Sequence, residues 1–388
     1  VADVTKAPQP DNVNERKDKF IKRNMPENVD ELGRKFFSMI KLDKPELAHV
    51  KAYVDNLQYS EALKAFRDYF MEKVPSFNWM WNVLQAFEYT NQKGDTVADE
   101  LIYNITTPPS GGNYQKIELG EPGTVNWEFD LQLFTTNSQF PRSYMLHLDQ
   151  FFPLIEAYIG TGNSAYLEKF FDFADDLLLN RDGLDTRYAI NTGYNSDIQS
   201  VRGFPYFIRY LCWLVNVLPQ KGKEIPETSL ARILLHRIID YLPVSMVYSR
   251  NNSQNWENDI LQFFIASGIL MDDFKLGDFY LNEGLRGLKA YGVQSVMPDG
   301  SEGQMFFEGY NTMYIHTGLM TSKRLLSQAR PDLLTEELNQ FIDNRLKAKL
   351  NYFGRYYIGY DGTDPTKLNN GLLLRVNPNI YDDPVLGP

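Results

Sequence analysis

Apolar residues recur along most of this chain at spacings of three and four, the period of a helix that is buried on one face. In the segment SYMLHLDQFFPLIEAYIGTGN the apolar positions with this spacing are Leu148, Phe151, Phe152, Ile155 and Ile159. A glycine-containing turn, GTG, then interrupts the pattern. Ser164 can cap a second helix, SAYLEKFFDFADDLLL, so that the two segments predict a helix hairpin.

The same pattern extends over most of the sequence. ELAHVKAYVDNLQYSEALKAFRDYF predicts two helices separated near Asn56–Tyr59, with Ser60 as the N-cap of the second. Similar segments continue to LLTEELNQFIDNRLKAKLNYF, and there is no internal repeat of fixed period. We therefore predict an all-α chain of helix hairpins over residues 30–353. Residues 1–29 form a polar N-terminal lead-in, and residues 354–388 form a non-helical linker or the start of a C-terminal β domain.

Composition and charge exclude several classes of protein. The net charge of −11, from 39 basic and 50 acidic residues, argues against a nucleic-acid partner. A local basic cleft can still receive a polyanion in an acidic protein. No apolar run is long enough to span a membrane. The sequence lacks the common nucleotide and metal motifs and its four histidines are scattered, so we expect neither a cofactor nor a metal.

Residues 251–264, NNSQNWENDILQFF, crowd uncharged polar side chains against an indole. Asn255 can cap a helix that begins at Trp256, but one cap accounts for only one of the amides. Amide groups can hydrogen-bond the hydroxyl or carboxylate groups of a sugar, and an aromatic ring can stack on its face. The segment is therefore either a helix cap or part of a sugar-binding site.

A second polar segment, MPDGSEGQMFFEGYNTMYIHTG, covers residues 297–318. Its first residues have the signature of a turn that leads into a helix. Within fifteen residues it contains Glu302, Gln304, Glu308, Tyr310, Asn311, Tyr314 and His316. Such a concentration indicates a site, and Glu302 with Glu308 would suit the carboxylate pair of a glycoside hydrolase.

At these two segments the chain resembles the heparinase II/III group of polysaccharide lyases. The resemblance covers most of residues 30–350, including ELGRKFFSMIKLDKPELAHVKAYVDNLQYSEALKAFRDYF, VNWEFDLQLF and HLDQFFPLIEAYIGTGNSAYL. It continues in DIQSVRGFPYFIRYL, where Arg202 stands at a position at which the family often has arginine. The resemblance implies an N-terminal (α/α) toroid, which in the family is followed by an antiparallel β-sandwich domain.

The resemblance also implies a reaction and a set of residues. It assigns the catalytic pair to Asn255 and Tyr310, which would cleave an acidic, uronate-containing polysaccharide by β-elimination. Gln304 stands near a position where the family has glutamate. The residues expected to bind the substrate are Arg202, Trp256, Trp127, Arg250, Gln304 and His316. The family context implies a bacterial, periplasmic or secreted enzyme.

Two other functions agree with the same residues. A glycoside hydrolase on an (α/α) toroid would draw its acid and base from Glu302, Glu308, Asp259 and Asp299. A non-catalytic glycan-binding protein would keep the cleft without the chemistry. A lyase product carries an unsaturated uronate, a hydrolase releases reducing ends without it, and a binding protein does neither.

Overall fold

The structure is a computed structural model that describes residues 4–6, 25–77, 94–106, 116–125, 151–180, 225–235, 255–300 and 309–356. Within these ranges the chain forms eleven α-helices and three short strands. The prediction of an all-α chain is confirmed. The predicted boundaries at residues 30 and 353 stay a prediction.

The elements divide between two compact units. Unit 1 contains residues 1–247 and 273–275, and unit 2 contains residues 248–272 and 276–388. The helices of unit 1 are α1 (Val29–Ser38), α2 (Ala48–Asp55), α3 (Tyr59–Lys73), α4 (Gly94–Ile102), α5 (Phe152–Thr161), α6 (Ser164–Asn180) and α7 (Glu227–Leu235). The helices of unit 2 are α8 (Asn255–Leu270), α9 (Gly277–Ser295), α10 (Gly309–Ala329) and α11 (Glu336–Tyr356).

A small sheet accompanies the helices of unit 1. Its strands are β1 (Val4–Lys6), β2 (Ile105–Thr106) and β3 (Lys116–Glu118), in the order β1-β3-β2. Strand β1 runs parallel to β3, with Val4 opposite Lys116, and β2 runs antiparallel to β3, with Ile105 opposite Glu118. Short 3₁₀-helices at Pro45–Leu47 and Val74–Phe77 complete the described elements of this unit.

Buried aromatic rings form much of the core of unit 1. The rings of Phe36 and Phe66 meet edge to face with their centroids 4.9 Å apart, and Phe274 packs edge to face on both. Phe151 stacks on Phe173 with a centroid separation of 4.8 Å, which joins α6 to the residue preceding α5. Edge-to-face and stacked pairs of this kind stabilise a core beyond the burial of their apolar area.

The segment Asp273–Lys275 is held in unit 1 by its backbone and its side chains. Lys41 N donates to Asp273 O at 2.7 Å, and Lys275 N donates to Met39 O at 2.8 Å. These bonds flank an antiparallel bridge between Ile40 and Phe274. The segment therefore pairs with residues 39–41 like a short strand, and the ring of Phe274 is buried in the core of unit 1.

The side chain of Asp273 is almost completely buried, with 2% of its surface exposed. Lys44 Nζ donates to Asp273 Oδ1 at 2.7 Å, and Tyr69 Oη donates to Oδ2 at 3.1 Å. Lys73 also forms an ion pair with Oδ2. A carboxylate is expensive to bury unless it is paired and hydrogen-bonded, and here both oxygens have cationic partners.

The hairpin predicted from the glycine-containing turn is present as α5 and α6, which pack against each other. Gly162 ends α5 in the left-handed conformation, with φ at 73°. The predicted cap at Ser164 is wrong by one residue, because Asn163 Oδ1 accepts the hydrogen bond from Ala165 N at 3.1 Å. Asparagine is as good a cap as serine, and the chain direction after Gly162 brings Asn163 to the helix boundary.

The two helices predicted on either side of Asn56–Tyr59 are also present, as α2 and α3. Ser60 is not the N-cap, because α3 begins at Tyr59 and its capping position, Gln58, makes no side-chain cap bond. The preceding turn sets this boundary. Gln58 N donates to Tyr53 O and Leu57 N donates to Val54 O, the bonds of a Schellman motif at the end of α2.

Leu57 occupies the left-handed position of that motif, with φ at 59°, and 70% of its surface is exposed. We expect Leu57→Gly to raise the free energy of unfolding by about 0.5–1 kcal/mol, because a side chain in this conformation costs about 1–2 kcal/mol and glycine loses part of that gain to entropy. Urea denaturation measures the change. Leu57→Ala, which keeps the β-carbon, serves as the control, and equal effects of the two substitutions would contradict the prediction.

Candidate functional site

The packing of α8 on α9 depends on glycines. A β-carbon at Gly268 would lie 2.7 Å from Leu281 Cβ, and one at Gly284 would lie 2.7 Å from Ile265 Cγ1. A β-carbon at Gly287 would lie 2.2 Å from Leu261 Cδ2. The contacts thus move from residue 268 towards 261 on α8 as they move from 281 towards 287 on α9. The two helices are antiparallel.

Ion pairs and hydrogen bonds give the directions of the other two helices of unit 2. Lys289 lies 4.0 Å from Glu337, and Arg345 Nη1 donates to Val296 O at 2.7 Å. From the first contact to the second, the residue number increases on both helices, so α11 runs parallel to α9. Lys323 of α10 forms an ion pair with Asp343 of α11. The two residues are nearly equally far in sequence from the loop that joins these helices, so α10 and α11 form an antiparallel hairpin.

These directions bring two helix beginnings to the same end of unit 2. Because α9 is antiparallel to α8 and parallel to α11, and α11 is antiparallel to α10, helices α8 and α10 run in the same direction. They also pack against each other. Asn255 is the first residue of α8 and Tyr310 is the second residue of α10. Each helix N-terminus carries a partial positive charge, which favours an anion at this end.

The structure places only some of the other predicted site residues. Trp256 is the second residue of α8, and Asp259 lies one turn further along the same helix. His316 lies in α10, six residues after Tyr310, which is about 9 Å further along the helix axis. Asp299 belongs to the turn after α9. The predicted residues that lie outside the described residues are Trp127, Arg202, Arg250, Glu302, Gln304 and Glu308.

A concave region of unit 1 was not predicted from the sequence. It has a volume of about 380 Å³ and is lined by Met25, Glu27, Pro122, Gly123, Asp172, Asp175, Asp176 and Leu179. The three aspartates lie on α6 at spacings of three and four, a signal that FDFADD already carries. Only the tertiary structure adds Glu27 and the turn at Gly123. So many carboxylates would repel an acidic polysaccharide, so this cavity is a poor candidate for its binding site.

One cation on α7 compensates part of this acidic cavity. Arg232 lies 3.3 Å from Asp175 and donates through Nη2 to Glu27 O at 3.1 Å. Ser229 Oγ donates to Asp175 Oδ2 at 2.7 Å. These bonds join α7 to α6 and to the segment before α1. Among the residues that the structure describes, no group of three or more histidine, cysteine, aspartate or glutamate side chains is placed to hold a metal ion.

The pKa of Asp172 is raised above its ordinary value of 3.8, first by partial burial and then by the negative charges of Asp175 and Glu168, while Lys169 lowers it. A raised folded-state pKa means that the native state binds protons more readily than the unfolded chain, so this group destabilises the fold at neutral pH. We expect Asp172→Asn to increase the free energy of unfolding at pH 7. The increase should disappear below pH 3.8, where the carboxyl is neutral in the unfolded chain as well as in the native protein.

Urea denaturation of the wild type and Asp172→Asn across this pH range tests the prediction. Asp55→Asn, an exposed carboxylate paired with Lys51 at 3.0 Å, is the matched control, and it should not gain stability at pH 7. A decrease in stability for Asp172→Asn at pH 7 would contradict the sign.

The comparisons with known proteins agree with the helical architecture. Residues 36–181 match the family model described as Heparinase II/III N-terminus. A heparan sulfate lyase HepC mutant from Pedobacter heparinus is similar in structure, with a TM-score of 0.60, 15% identity, and coverage of 82% of this chain and 48% of that one. No curated protein sequence shows a significant match.

Two heparinase III structures are also similar. One, described as the BT4657 gene product with methylated lysines, has a TM-score of 0.58 at 16% identity. The match covers 82% of this chain and 49% of that chain. Another has a TM-score of 0.53 at 17% identity, with 84% of this chain and 49% of that chain covered. The chain therefore spans about half the length of the solved structures that it matches.

These likenesses confirm the predicted fold class, an all-α chain of the (α/α) toroid type. With the match over residues 36–181, they also confirm the predicted resemblance to the heparinase II/III group. Within its described residues, no helix is long and apolar enough to cross a membrane.

Proposed function

We propose that this chain is the helical part of a polysaccharide lyase that cleaves an acidic, uronate-containing polysaccharide, such as a glycosaminoglycan, by β-elimination. The observation that carries the proposal is the match of residues 36–181 to the Heparinase II/III N-terminus family model. The similar structures named as heparan sulfate lyase and heparinase III support the same substrate class. A lyase of such polysaccharides would act in the periplasm or outside the cell.

The chemistry requires removal of the proton on C5 of the uronate, next to a carboxylate whose negative charge opposes it. The electron pair of the C5–H bond then forms the C4–C5 double bond, the C4–O bond breaks, and the leaving oxygen takes a proton. We assign Asn255 to the carboxylate, where an amide donor stabilises the developing charge. Donors of this kind contribute about 3 kcal/mol to stabilising such a transition state.

Tyr310 is the proposed base, and after the C–O bond breaks it can return the proton to the leaving oxygen. A phenol has an ordinary pKa of about 10, so a tyrosine that acts as a base at neutral pH needs a cation or a hydrogen-bond donor nearby. Arg202 and Arg250 are our candidates for that cation and for contacts with the acidic polysaccharide. Trp127, Trp256, Gln304 and His316 would complete the binding of the sugar chain.

The direction of the helices supports the pairing of Asn255 and Tyr310. Both residues stand in the first turns of helices that pack together and run in the same direction. The two positive helix ends favour a carboxylate at this end of unit 2. The two helices are 16 and 21 residues long. Had they run in opposite directions, Asn255 and Tyr310 would lie about one helix length apart and could not act on the same sugar.

The proposal is tested by ultraviolet absorbance of the purified, natural full-length polypeptide during incubation with heparan sulfate, hyaluronan, chondroitin sulfate and alginate. We expect absorbance to rise with at least one substrate, because elimination creates an unsaturated uronate. Reducing ends are measured in parallel. Reducing ends without absorbance would identify a hydrolase, and binding on a glycan array without either product would identify a non-catalytic glycan-binding protein.

A further inference from the structure

In the close contact between α8 and α9, each helix has a glycine that faces the partner backbone. A β-carbon at Gly268 would lie 2.7 Å from both Cβ and N of Leu281. A β-carbon at Gly284 would lie 2.7 Å from Ile265 Cγ1 and 3.1 Å from Ile265 N. Glycine is unfavourable inside a helix relative to alanine, so its presence at both positions indicates a packing requirement.

Gly287 makes a different kind of contact, although it lies on the same face of α9. The atom nearest to a β-carbon there is Leu261 Cδ2, at 2.2 Å, and the next is Leu261 Cγ at 3.6 Å. The end of a leucine side chain can rotate away from a new methyl group. A backbone nitrogen or a β-carbon cannot move without its helix, so Gly268 and Gly284 restrict the position of α8 as a whole.

The position of α8 matters because its first residue is Asn255. A helix is stiff over sixteen residues, so a displacement at Ile265 is transmitted to the helix beginning. Phe264, Ile265, Ala266 and Ser267 have no exposed surface. The core therefore offers no space into which Ile265 alone could retreat.

We propose that Gly268 and Gly284 are positioning residues of the proposed lyase site: by letting the backbones of α8 and α9 approach, they set where Asn255 stands relative to Tyr310. The inference rests on the proposed function. Gly268 and Gly284 touch no substrate and act only through the placement of α8. A methyl group at either glycine would displace α8 by a few tenths of an ångström, because Leu281 N and Cβ oppose Gly268 and Ile265 N lies 3.1 Å from a β-carbon at Gly284, and these atoms cannot move without their helices.

The test compares Gly284→Ala with Gly287→Ala, which adds the same methyl group to the same helix face. We expect kcat for elimination to fall about tenfold in Gly284→Ala with KM within about twofold, since a misplacement near 1 Å can cost about 10²-fold in rate. Gly287→Ala should keep both constants within about twofold of the wild type. Gly160→Ala, in a helix with no atom within 4 Å of the new methyl, controls for helix propensity.

Crystal structures of both variants provide a readout that does not depend on activity. We expect the distance between the Asn255 and Tyr310 Cα atoms to change in Gly284→Ala and not in Gly287→Ala. If the displacement is found while the wild type shows no elimination, the proposed function fails and the packing role stands. If the wild type is active and folded Gly284→Ala keeps its kcat, the positioning role is overturned and the function stands.

Gly284→Ala is also checked for folding by urea denaturation. Should it not fold, the double variant Gly284→Ala/Ile265→Ala replaces it, since removing Cγ1 leaves Ile265 N, at 3.1 Å, as the closest atom to the new methyl. Ile265→Ala alone is then the reference. A double variant with the kcat of that reference would overturn the inference, and a further loss of kcat at constant KM would support it.

Discussion

Asp273→Asn is expected to lower the free energy of unfolding by about 3 kcal/mol, because it removes the negative charge that two lysines share inside unit 1. Only 2% of the Asp273 surface is exposed, and the side chains of Lys44 and Lys73 are 28% and 14% exposed. Breaking a buried ion pair from one side leaves its partner charged and poorly solvated. The partial exposure of the lysines places the expected loss at the lower end of the range for such pairs.

The measurement is urea denaturation at neutral pH, with Asp55→Asn as the matched control. Asp55 pairs with Lys51 on the surface at 3.0 Å, with side-chain exposures of 59% and 40%, so its replacement should cost less than about 0.5 kcal/mol. The triple variant Lys44→Met/Lys73→Met/Asp273→Leu removes all three charges together and should be more stable than Asp273→Asn. Equal small losses for Asp273→Asn and Asp55→Asn would contradict the account.

Tyr310→Phe is expected to lower kcat for elimination by about 10²–10⁴-fold, since it removes the only group of this side chain that can transfer a proton. Tyr53→Phe, in α2 of unit 1, deletes a hydroxyl from another tyrosine with 39% exposure and should leave kcat unchanged. Initial rates from ultraviolet absorbance give kcat, and urea denaturation confirms that the variants are folded. Full activity of Tyr310→Phe would remove Tyr310 from the mechanism.

Asn255→Ala separates a catalytic amide from a purely structural one, since α8 begins at Asn255 itself and not, as predicted, at Trp256 with Asn255 as its cap. As a member of the catalytic pair, Asn255 should contribute about 10²–10³-fold to kcat. If the amide only stabilises the first turn of α8, its replacement would cost at most about 1 kcal/mol of stability and leave turnover intact. Asn282→Ala, at an exposed position of α9, is the control for the same substitution inside a helix.

Local sequence was sufficient to predict the helix hairpins. The helices α2, α3, α5 and α6 follow from apolar spacing, because one-sided burial imposes a period of 3.6 residues wherever a helix packs. Their exact starts were less predictable. Asn163 rather than Ser164 caps α6, and a left-handed Leu57 rather than Ser60 sets the start of α3. Neighbouring side chains with similar capping ability compete, and the turn geometry selects between them.

The candidate catalytic pair was also proposed from sequence, through the amide-rich start of α8 and the polar segment before α10. Sequence gave no information about helix direction, which follows from the contacts of α9 and α11 with their neighbours. Nor did it explain the glycines of α8 and α9, which look unfavourable until the opposing backbone is seen. Helix propensity depends on one segment alone, whereas the close approach of two helix backbones depends on both helices and cannot be read from either sequence segment.

The sequence by itself determined the helical class, the pairing of neighbouring helices and the polar segments that carry the proposed chemistry, because each depends on residues within a few turns of one another. The tertiary structure decided which distant residues meet. Asp273 forms ion pairs with Lys44 and Lys73, which lie 229 and 200 residues away in sequence. Glu27 lines the same cavity as the aspartates of α6. These long-range contacts follow from the packing of whole helices. Burial of apolar surface drives that packing, and it does not specify which polar residues become partners.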